Sequence, residues 1–222
     1  MKPPPDRDDD ALRRYYAARA REYESIYEKP ERQRDLRRLE DEVPARLAGR
    51  RVLEIACGTG YWTRFLAQAA ARVVGVDASV QTLEVARAKG LPQDRVEFRL
   101  ADAYALPDEL GLFEGAFAGF WWSHVPRARQ AEFLACLDRR LGPGARVTLL
   151  DNLYVAGSST PVAGTDSEGN SWQRRRLADG SEHRVLKNFP TEDELRGAIA
   201  PFAASMDYVR LDYFWLFGWT KP

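Results

Sequence analysis

Apolar residues in this chain of 222 residues recur with two periods that alternate along the sequence. Short apolar or alternating runs, typical of strands in a largely buried sheet, occupy residues 52–55, 73–76, 95–100, 114–120 and 145–150. Between them, apolar positions recur at helical spacing, as in residues 61–66, 80–85 and 133–141. Ser79 and Thr191 are predicted to cap the helices that follow them. Strands that alternate with helices predict an α/β fold with a parallel sheet.

The first predicted strand ends in a glycine-rich turn. Residues 54–60 read Glu-Ile-Ala-Cys-Gly-Thr-Gly, and a helical pattern begins directly after them. Glycine permits positive φ and close approach of a ligand, and a helix N-terminus offers free N–H groups. This strand–turn–helix unit predicts a nucleotide-like ligand. The dinucleotide fingerprint G-x-G-x-x-G would need glycine at position 63, where Thr63 stands.

A second signal narrows the choice of ligand. The pattern E-x-A-x-G-x-G resembles motif I of the class I S-adenosylmethionine (SAM)-dependent methyltransferases, with its letters at Glu54, Ala56, Gly58 and Gly60. Asp77 ends the second strand, where a carboxylate can accept hydrogen bonds from both ribose hydroxyls. The alternative is a tight turn that binds nothing, followed by an aspartate that caps a helix. We favour SAM as the cofactor, with NAD(P) as the alternative ligand.

The resemblance implies a doubly wound, mostly parallel seven-stranded sheet of Rossmann-like type. It implies one methyltransferase domain over residues 11–222, and the Pro-rich, acidic composition of residues 1–10 predicts a disordered tail before it. Within that domain we expect a helical lid at 11–48, a SAM-binding core at 50–151, a substrate-covering β-hairpin insertion at 152–190, and a C-terminal helix and strand at 191–222. The aromatic stretch 206–220 is compatible with one strand or two.

The resemblance also implies a set of residues that bind SAM. Residues 15–23 resemble the N-terminal lid of small-molecule methyltransferases, which places Tyr16 and Arg19 near the methionine end of SAM. Asp102 follows the third strand and resembles the acid that binds the adenine amino group, although a turn aspartate is the alternative. The expected cofactor-binding residues are Tyr16, Arg19, Glu54, Ala56, Gly58, Gly60, Trp62, Asp77, Ala78, Asp102, Ala103 and Trp121.

The fourth predicted strand runs into Trp121-Trp122-Ser123-His124, which resembles the corresponding segment of small-molecule N-, O- and C-methyltransferases. Ligands of such sheets bind beyond the carboxyl ends of the strands. A neutral imidazole there can take a proton from a nucleophile, so His124 is the catalytic candidate. Trp122 can bind a flat ring or an amine, or can be a core residue.

The region after the fifth strand is expected to cover the acceptor. Residues 155–169 predict a loop, and Asp179-Gly180 between residues 171–177 and 181–187 predicts a hairpin with a type I′ turn. Arginines on the first arm can bind an acidic acceptor, or can form a solvated face. The expected substrate-binding residues are Trp122, His124, Tyr154, Arg174 and Arg176.

Composition limits the partners. Lys plus Arg and Asp plus Glu number 33 each, and the zero net charge argues against a general nucleic-acid binder. The two cysteines show no metal-binding spacing, so we expect no metal. No apolar run has membrane-spanning length. We therefore expect a cytoplasmic protein without nucleic-acid or membrane partners, either a monomer or a homodimer.

These observations predict a SAM-dependent methyltransferase that methylates an N or O nucleophile of a small molecule by in-line displacement and releases S-adenosyl-L-homocysteine (SAH). A base is needed only if the nucleophile holds its proton tightly, so a weak catalytic signature is expected. Two alternatives remain: a non-catalytic SAM-binding module and an NAD(P)-dependent oxidoreductase.

Overall fold

The computed structural model of the protein describes residues 23–177 and 179–222. The predicted tail at 1–10 lies outside these residues, as does the part of the lid that contains Tyr16 and Arg19. Among the described residues, no helix combines the length and the apolar character that crossing a membrane requires.

Ten strands lie in the described part of the chain. They are β1 Arg51–Ile55, β2 Arg72–Asp77, β3 Val96–Leu100, β4 Phe113–Gly119, β5 Leu141–Asn152, β6 Val162–Thr165, β7 Ser171–Arg176, β8 Glu182–Leu186, β9 Ser205–Arg210 and β10 Phe214–Thr220. Seven of them form one sheet in the order β3-β2-β1-β4-β5-β10-β9. The first five strands of that order are parallel, and β10 runs antiparallel to both neighbours. This is the predicted doubly wound, mostly parallel sheet.

Helices cover both faces of the sheet. They are α1 Gln33–Arg46, α2 Thr63–Ala69, α3 Val80–Ala88, α4 Gln130–Asp138 and α5 Glu192–Ile199. One core cluster joins α1 and α2 to the sheet through Leu39 and Leu66, and the other joins α4 and α5 through Phe133 and Leu195. The order of the strands reverses between β1 and β4, which is where such sheets bind ligands.

Two predicted helix starts are confirmed. The Thr82 N–H donates to the Ser79 hydroxyl (3.2 Å), so Ser79 caps α3. Thr191 forms a complete capping box with Glu194 at the start of α5. Both caps satisfy N–H groups that the first turn of a helix leaves without a backbone partner.

The C-terminal aromatic stretch forms two strands. The turn between β9 and β10 is closed by the Leu211 N–H, which donates to the Phe214 carbonyl oxygen. The Tyr213 N–H donates to the Asp35 carboxylate of α1 (2.8 Å). A partner almost the whole chain away therefore holds this turn, which explains why the local sequence left the choice open.

The insertion after β5 is a three-stranded antiparallel sheet in the order β6-β7-β8. The predicted hairpin is β7–β8, but the prediction of a loop throughout 155–169 is wrong at Val162–Thr165, which forms β6. The two-residue type I′ turn is also wrong. The Leu177 N–H donates to the Ser181 carbonyl oxygen, so three residues separate the paired positions, and Gly180 has φ 87°.

Candidate active site

The carboxyl ends of β1 and β4 carry unusual backbone conformations. Ala56, directly after β1, has φ 50°, and Phe120, directly after β4, has φ 59°. They are the non-glycine residues with positive φ in the described chain. Such conformations cost free energy in residues other than glycine and concentrate at functional sites. Both residues lie at the carboxyl edge of the sheet, where several of the predicted site residues also lie.

Asp77 connects the glycine turn to the start of α3. The Gly58 N–H donates to its Oδ2 (2.9 Å), while the Ser79 N–H and the Thr82 hydroxyl donate to its Oδ1 (2.8 and 3.0 Å). Gly58 makes its contact with φ 55°, a conformation that glycine adopts without strain. A carboxylate has about four acceptor positions. Asp77 therefore retains about one of them, on Oδ2, for a ligand hydroxyl.

Glu54 is 2 % exposed in the middle of the sheet. Its Oε2 accepts a hydrogen bond from the Thr63 hydroxyl (2.6 Å), which ties β1 to the first turn of α2. Burial raises the pKa of Glu54 to about 8. In the described structure, the hydrogen bond that Glu54 makes is thus with another buried residue of the fold, Thr63.

The remaining predicted cofactor residues differ in their surroundings. Trp62 is 3 % exposed and packs among aromatic rings on the α1 side of the sheet. The Tyr104 N–H donates to Asp102 Oδ1 (2.9 Å), which orders the turn after β3. Trp121 packs edge-on against Tyr104 and Phe133. Ala56, Ala78 and Ala103 follow β1, β2 and β3 and lie with Asp77 and Asp102 at the carboxyl edge.

The described end of the N-terminal segment lies against the glycine turn. The Thr59 hydroxyl donates to Glu24 (2.8 Å), and Glu24 also pairs with Lys89. The Tyr27 ring stacks on Tyr61, with ring centroids 3.6 Å apart. The pattern of the sequence did not assign these contacts.

His124 lies just beyond β4 and is 4 % exposed. Its Nδ1 is 2.6 Å from the Leu186 carbonyl oxygen at the end of β8. Because a carbonyl oxygen only accepts, Nδ1 carries the hydrogen, and Nε2 of the neutral ring holds the lone pair. Burial, followed by the charges of Lys187 and Arg175, holds the pKa of His124 well below its usual range. The ring is therefore neutral near pH 7.

A buried ion pair lies beside His124. Lys187 Nζ donates to Asp151 Oδ1 (2.8 Å) and to the Ser123 hydroxyl (2.6 Å). The backbone N–H groups of Ser123 and Asn152 also donate to the Asp151 carboxylate (2.9 and 2.8 Å). Burial lowers the pKa of Lys187. Burial would raise the pKa of Asp151, but the Lys187 ammonium outweighs it and holds that pKa below its usual range.

Sequence reasoning did not assign either residue to the site. Asp151 does show the signal that singled out Asp77 and Asp102, an acid directly after an apolar strand. Lys187 has no such signal, because only the docking of β8 against the end of β5 brings it there.

The three arginines of β7 lie on two different faces of the strand. Side chains alternate between the faces of a strand. Arg174 and Arg176 of β7 are exposed, whereas Arg175 lies on the opposite face, where its charge lowers the pKa values of His124 and Lys187 after the effect of burial. Arg174 and Arg176 stay predicted acceptor residues, and Arg175 is added as a further candidate because its charge acts on His124.

Two further acceptor candidates differ in exposure. Trp122 is 1 % exposed and packs against Phe133, so its side chain belongs to the core rather than to an open surface. Tyr154, at 46 %, is exposed and contacts Phe189 with ring centroids 5.3 Å apart. Tyr154 therefore stays a candidate, and Trp122 contributes through packing.

Comparison with known proteins identifies the family. Residues 52–144 match a family model described as a methyltransferase domain. Structures of DhpI cover 96 % of this chain: an SAH complex with 30 % identity, TM-score 0.77 and 96 % of its own chain covered, and a SAM–HEP complex with 29 % identity, TM-score 0.80 and 97 % covered. This chain belongs to the class I SAM-dependent methyltransferases.

Two curated relatives match the central part of the chain. The demethylmenaquinone methyltransferase of Clavibacter sepedonicus is 38 % identical over 107 residues, which are 48 % of this chain and 43 % of that protein. The O-methyltransferase cnsE of Penicillium expansum is 38 % identical over 121 residues, which are 51 % of this chain and 43 % of that protein. The matched segments thus span less than half the length of these relatives.

The residues at the carboxyl edge fit SAM as the cofactor of this methyltransferase. The remaining acceptor position of Asp77 suits a ribose hydroxyl, and the positive φ values of Ala56, Gly58 and Gly60 turn the backbone of the loop beside it. Both features belong to the edge at which a doubly wound sheet binds nucleotides.

Asp77→Asn should weaken SAH binding about tenfold or more, because it removes a charge and one acceptor oxygen. Titration calorimetry with SAH measures this loss. Asp94→Asn, in an exposed turn, is the matched control and should bind like the wild type. Equal SAH affinity in all three proteins would contradict the assignment of Asp77.

Glu54→Gln should change how stability depends on pH. The carboxyl has its pKa raised from 4.5 to about 8 in the fold. Between pH 4.5 and about 8, the folded wild type therefore binds more protons than the unfolded chain. Its stability falls as pH rises across this range. Glutamine keeps the acceptor for Thr63 and does not titrate. We expect the free energy of unfolding of the variant minus that of the wild type to be on the order of 3 kcal/mol larger at pH 8.5 than at pH 5. Denaturant unfolding of both proteins at the two pH values measures this. A difference that does not change with pH would contradict this.

Proposed function

We propose that this protein transfers a methyl group from SAM to an oxygen nucleophile of a small molecule. The observation that carries the proposal is the tautomer of His124, whose Nε2 is an acceptor beyond the carboxyl end of β4. A hydroxyl holds its proton at neutral pH, so its methylation benefits from a base, whereas an unprotonated amine needs none.

Different residues of the chain bind the cofactor and accept the proton. Asp77, the glycine turn and the segment that follows β3 bind the cofactor and fix its orientation. When bound, SAM supplies a methyl carbon on a positively charged sulfur, and the carbon–sulfur bond breaks as the acceptor oxygen bonds to that carbon. His124 Nε2 receives the proton of the acceptor oxygen. Burial of His124 and its neighbours excludes water from this point.

The hydrogen bond to the Leu186 carbonyl gives His124 its role. It fixes the ring orientation and keeps the hydrogen on Nδ1, so that the lone pair of the neutral ring lies on Nε2 and can accept a proton. The low pKa of the ring keeps that base deprotonated across the neutral range, at some cost in base strength. The O-methyltransferase cnsE among the relatives is consistent with an oxygen acceptor.

His124→Asn tests this role. The asparagine amide can replace Nδ1 as the donor to Leu186 but provides nothing in the position of Nε2. We expect kcat to fall about 10²–10³-fold, while SAH affinity stays unchanged. For the wild type, kcat/KM should stay level as pH falls through 6.5 and should decline only at lower pH, since the pKa of His124 lies well below its usual range.

The measurement is SAH formation from SAM with a panel of small hydroxyl-bearing acceptors, at several pH values. The thermal unfolding midpoint and SAH affinity of the variant serve as controls for folding. An unchanged kcat in His124→Asn, with the same pH profile as wild type, would overturn the role of the histidine as base.

A further inference from the structure

We propose that the acceptor carries an oxyanion, a phosphorus oxyacid or a carboxylate, which binds to Lys187, Ser123 and Arg175 beside His124. The inference rests on the proposed function and specifies its substrate class. It follows from hydrogen-bond donors of Lys187 and Ser123 that find no acceptor in the described residues, and from the positive charge around them.

The first observation is an ammonium with a donor to spare. Lys187 is 5 % exposed and has three N–H donors, of which two are used, by Asp151 and by the Ser123 hydroxyl. Within residues 23–177 and 179–222, no further acceptor lies within hydrogen-bond distance of Nζ. A buried cationic donor without an acceptor is costly, and an anionic oxygen is the partner that best satisfies it.

The second observation concerns Ser123, which is fully buried. Its hydroxyl oxygen accepts from Lys187 and still has a proton to donate. The described part of the chain offers that proton no acceptor. Lys187 and Ser123 therefore each offer one donor in the surroundings of His124, the proposed proton acceptor.

The third observation is the sign of the surrounding charge. Lys29 and Arg32 donate to the Ser158 carbonyl oxygen, and Arg32 also donates to the Asn152 side chain, one residue from Asp151. With Arg175 and Lys187, this network holds four cations. Among the described residues, Asp151 and Glu31 are the carboxylates hydrogen-bonded within it, and Glu31 accepts from the Ser158 hydroxyl. Lys187 and Arg32 are buried, and the charges of Arg175 and Arg32 both act to lower the pKa of Lys187. An anionic ligand beside Lys187 would therefore be attracted by several positive charges.

The position of Arg175 adds a control within the same strand. Its guanidinium donates to the Gln173 side chain (2.8 Å), which lies on the same face of β7. From this face the charge of Arg175 acts on His124 and Lys187. Arg174 is its neighbour in sequence but lies on the exposed face. Both changes to glutamine remove one positive charge from the hairpin, yet only Arg175→Gln removes it from the inferred anion site.

The experiment titrates inorganic phosphate, and separately acetate, into the protein saturated with SAH. Sodium chloride keeps the ionic strength constant, and calorimetry records the binding. We expect saturable binding of at least one anion to the wild type and to Arg174→Gln. Arg175→Gln and Lys187→Met should bind that anion about tenfold more weakly or worse, the loss expected for one charge-assisted hydrogen bond.

The two arms separate the sources of the oxyanion. Binding of phosphate alone points to a phosphorus oxyacid, and binding of acetate alone points to a carboxylate. Because Lys187→Met leaves Asp151 without its partner and can destabilise the fold, Arg175→Gln, which keeps the buried ion pair, decides the outcome if the lysine variant does not fold.

No saturable binding of either anion to SAH-loaded wild type would overturn the inference and leave the proposed function standing. Equal anion affinity in Arg175→Gln and Arg174→Gln would overturn it as well. Failure of the wild type to bind SAH would instead overturn the proposed function, on which the inference depends.

Discussion

The buried pair of Lys187 and Asp151 is the interaction on which the proposed acceptor side of this protein depends. It joins Lys187, the residue directly after β8 of the insertion, to the end of β5 and to the segment after β4. An isolated charge at either position would be strongly destabilising, so the pair is formed only when the insertion docks on the sheet. Docking of β8 also brings the Leu186 carbonyl to His124. The insertion therefore forms part of the surroundings of His124.

The cofactor side is held together by contacts between residues that are closer in sequence. There the chain close to β1 and β2 supplies its own partners: Gly58, Ser79 and Thr82 all donate to Asp77. Glu54 and Thr63 fix the strand to the helix that follows. Because these contacts are short in sequence, the cofactor half of the site can be organised by one βαβ unit, whereas the acceptor half needs segments far apart in the chain.

This division explains what the sequence could predict. The order of elements, the seven-stranded sheet and the placement of Asp77 and Asp102 at one edge follow from apolar periodicity and from the resemblance in residues 54–60. The structure departs from the sequence-based expectations, or adds to them, where a period of two or a distant partner decides. Arg175 lies on one face of β7 and Arg174 and Arg176 on the exposed face, because neighbours in a strand point to opposite faces. Strand β6 has little apolar pattern, since its residues are exposed.

Lys187 is the clearest example of a site residue that the sequence could not predict. A lysine in a hairpin strand is typical of a solvated edge, and no local pattern distinguishes one that is buried. Its role follows only from the register of β8 and from the position of Asp151, which lies 36 residues earlier in the chain. His124 was a candidate because its segment follows a predicted strand. Its tautomer is set by the Leu186 carbonyl of β8, and its low pKa comes from burial, followed by the charges of Lys187 and Arg175.

The state of the His124 ring tests this account most directly. The chain has two histidines, and His124→Asn assigns their signals. Long-range ¹H–¹⁵N correlation spectra of the SAH-bound protein, recorded from pH 5 to 8, report which ring nitrogen carries hydrogen. The account predicts a neutral ring at pH 7 with hydrogen on Nδ1, and protonation of Nε2 only well below pH 6.5. Hydrogen on Nε2 of the neutral ring, or an imidazolium at pH 7, would contradict it.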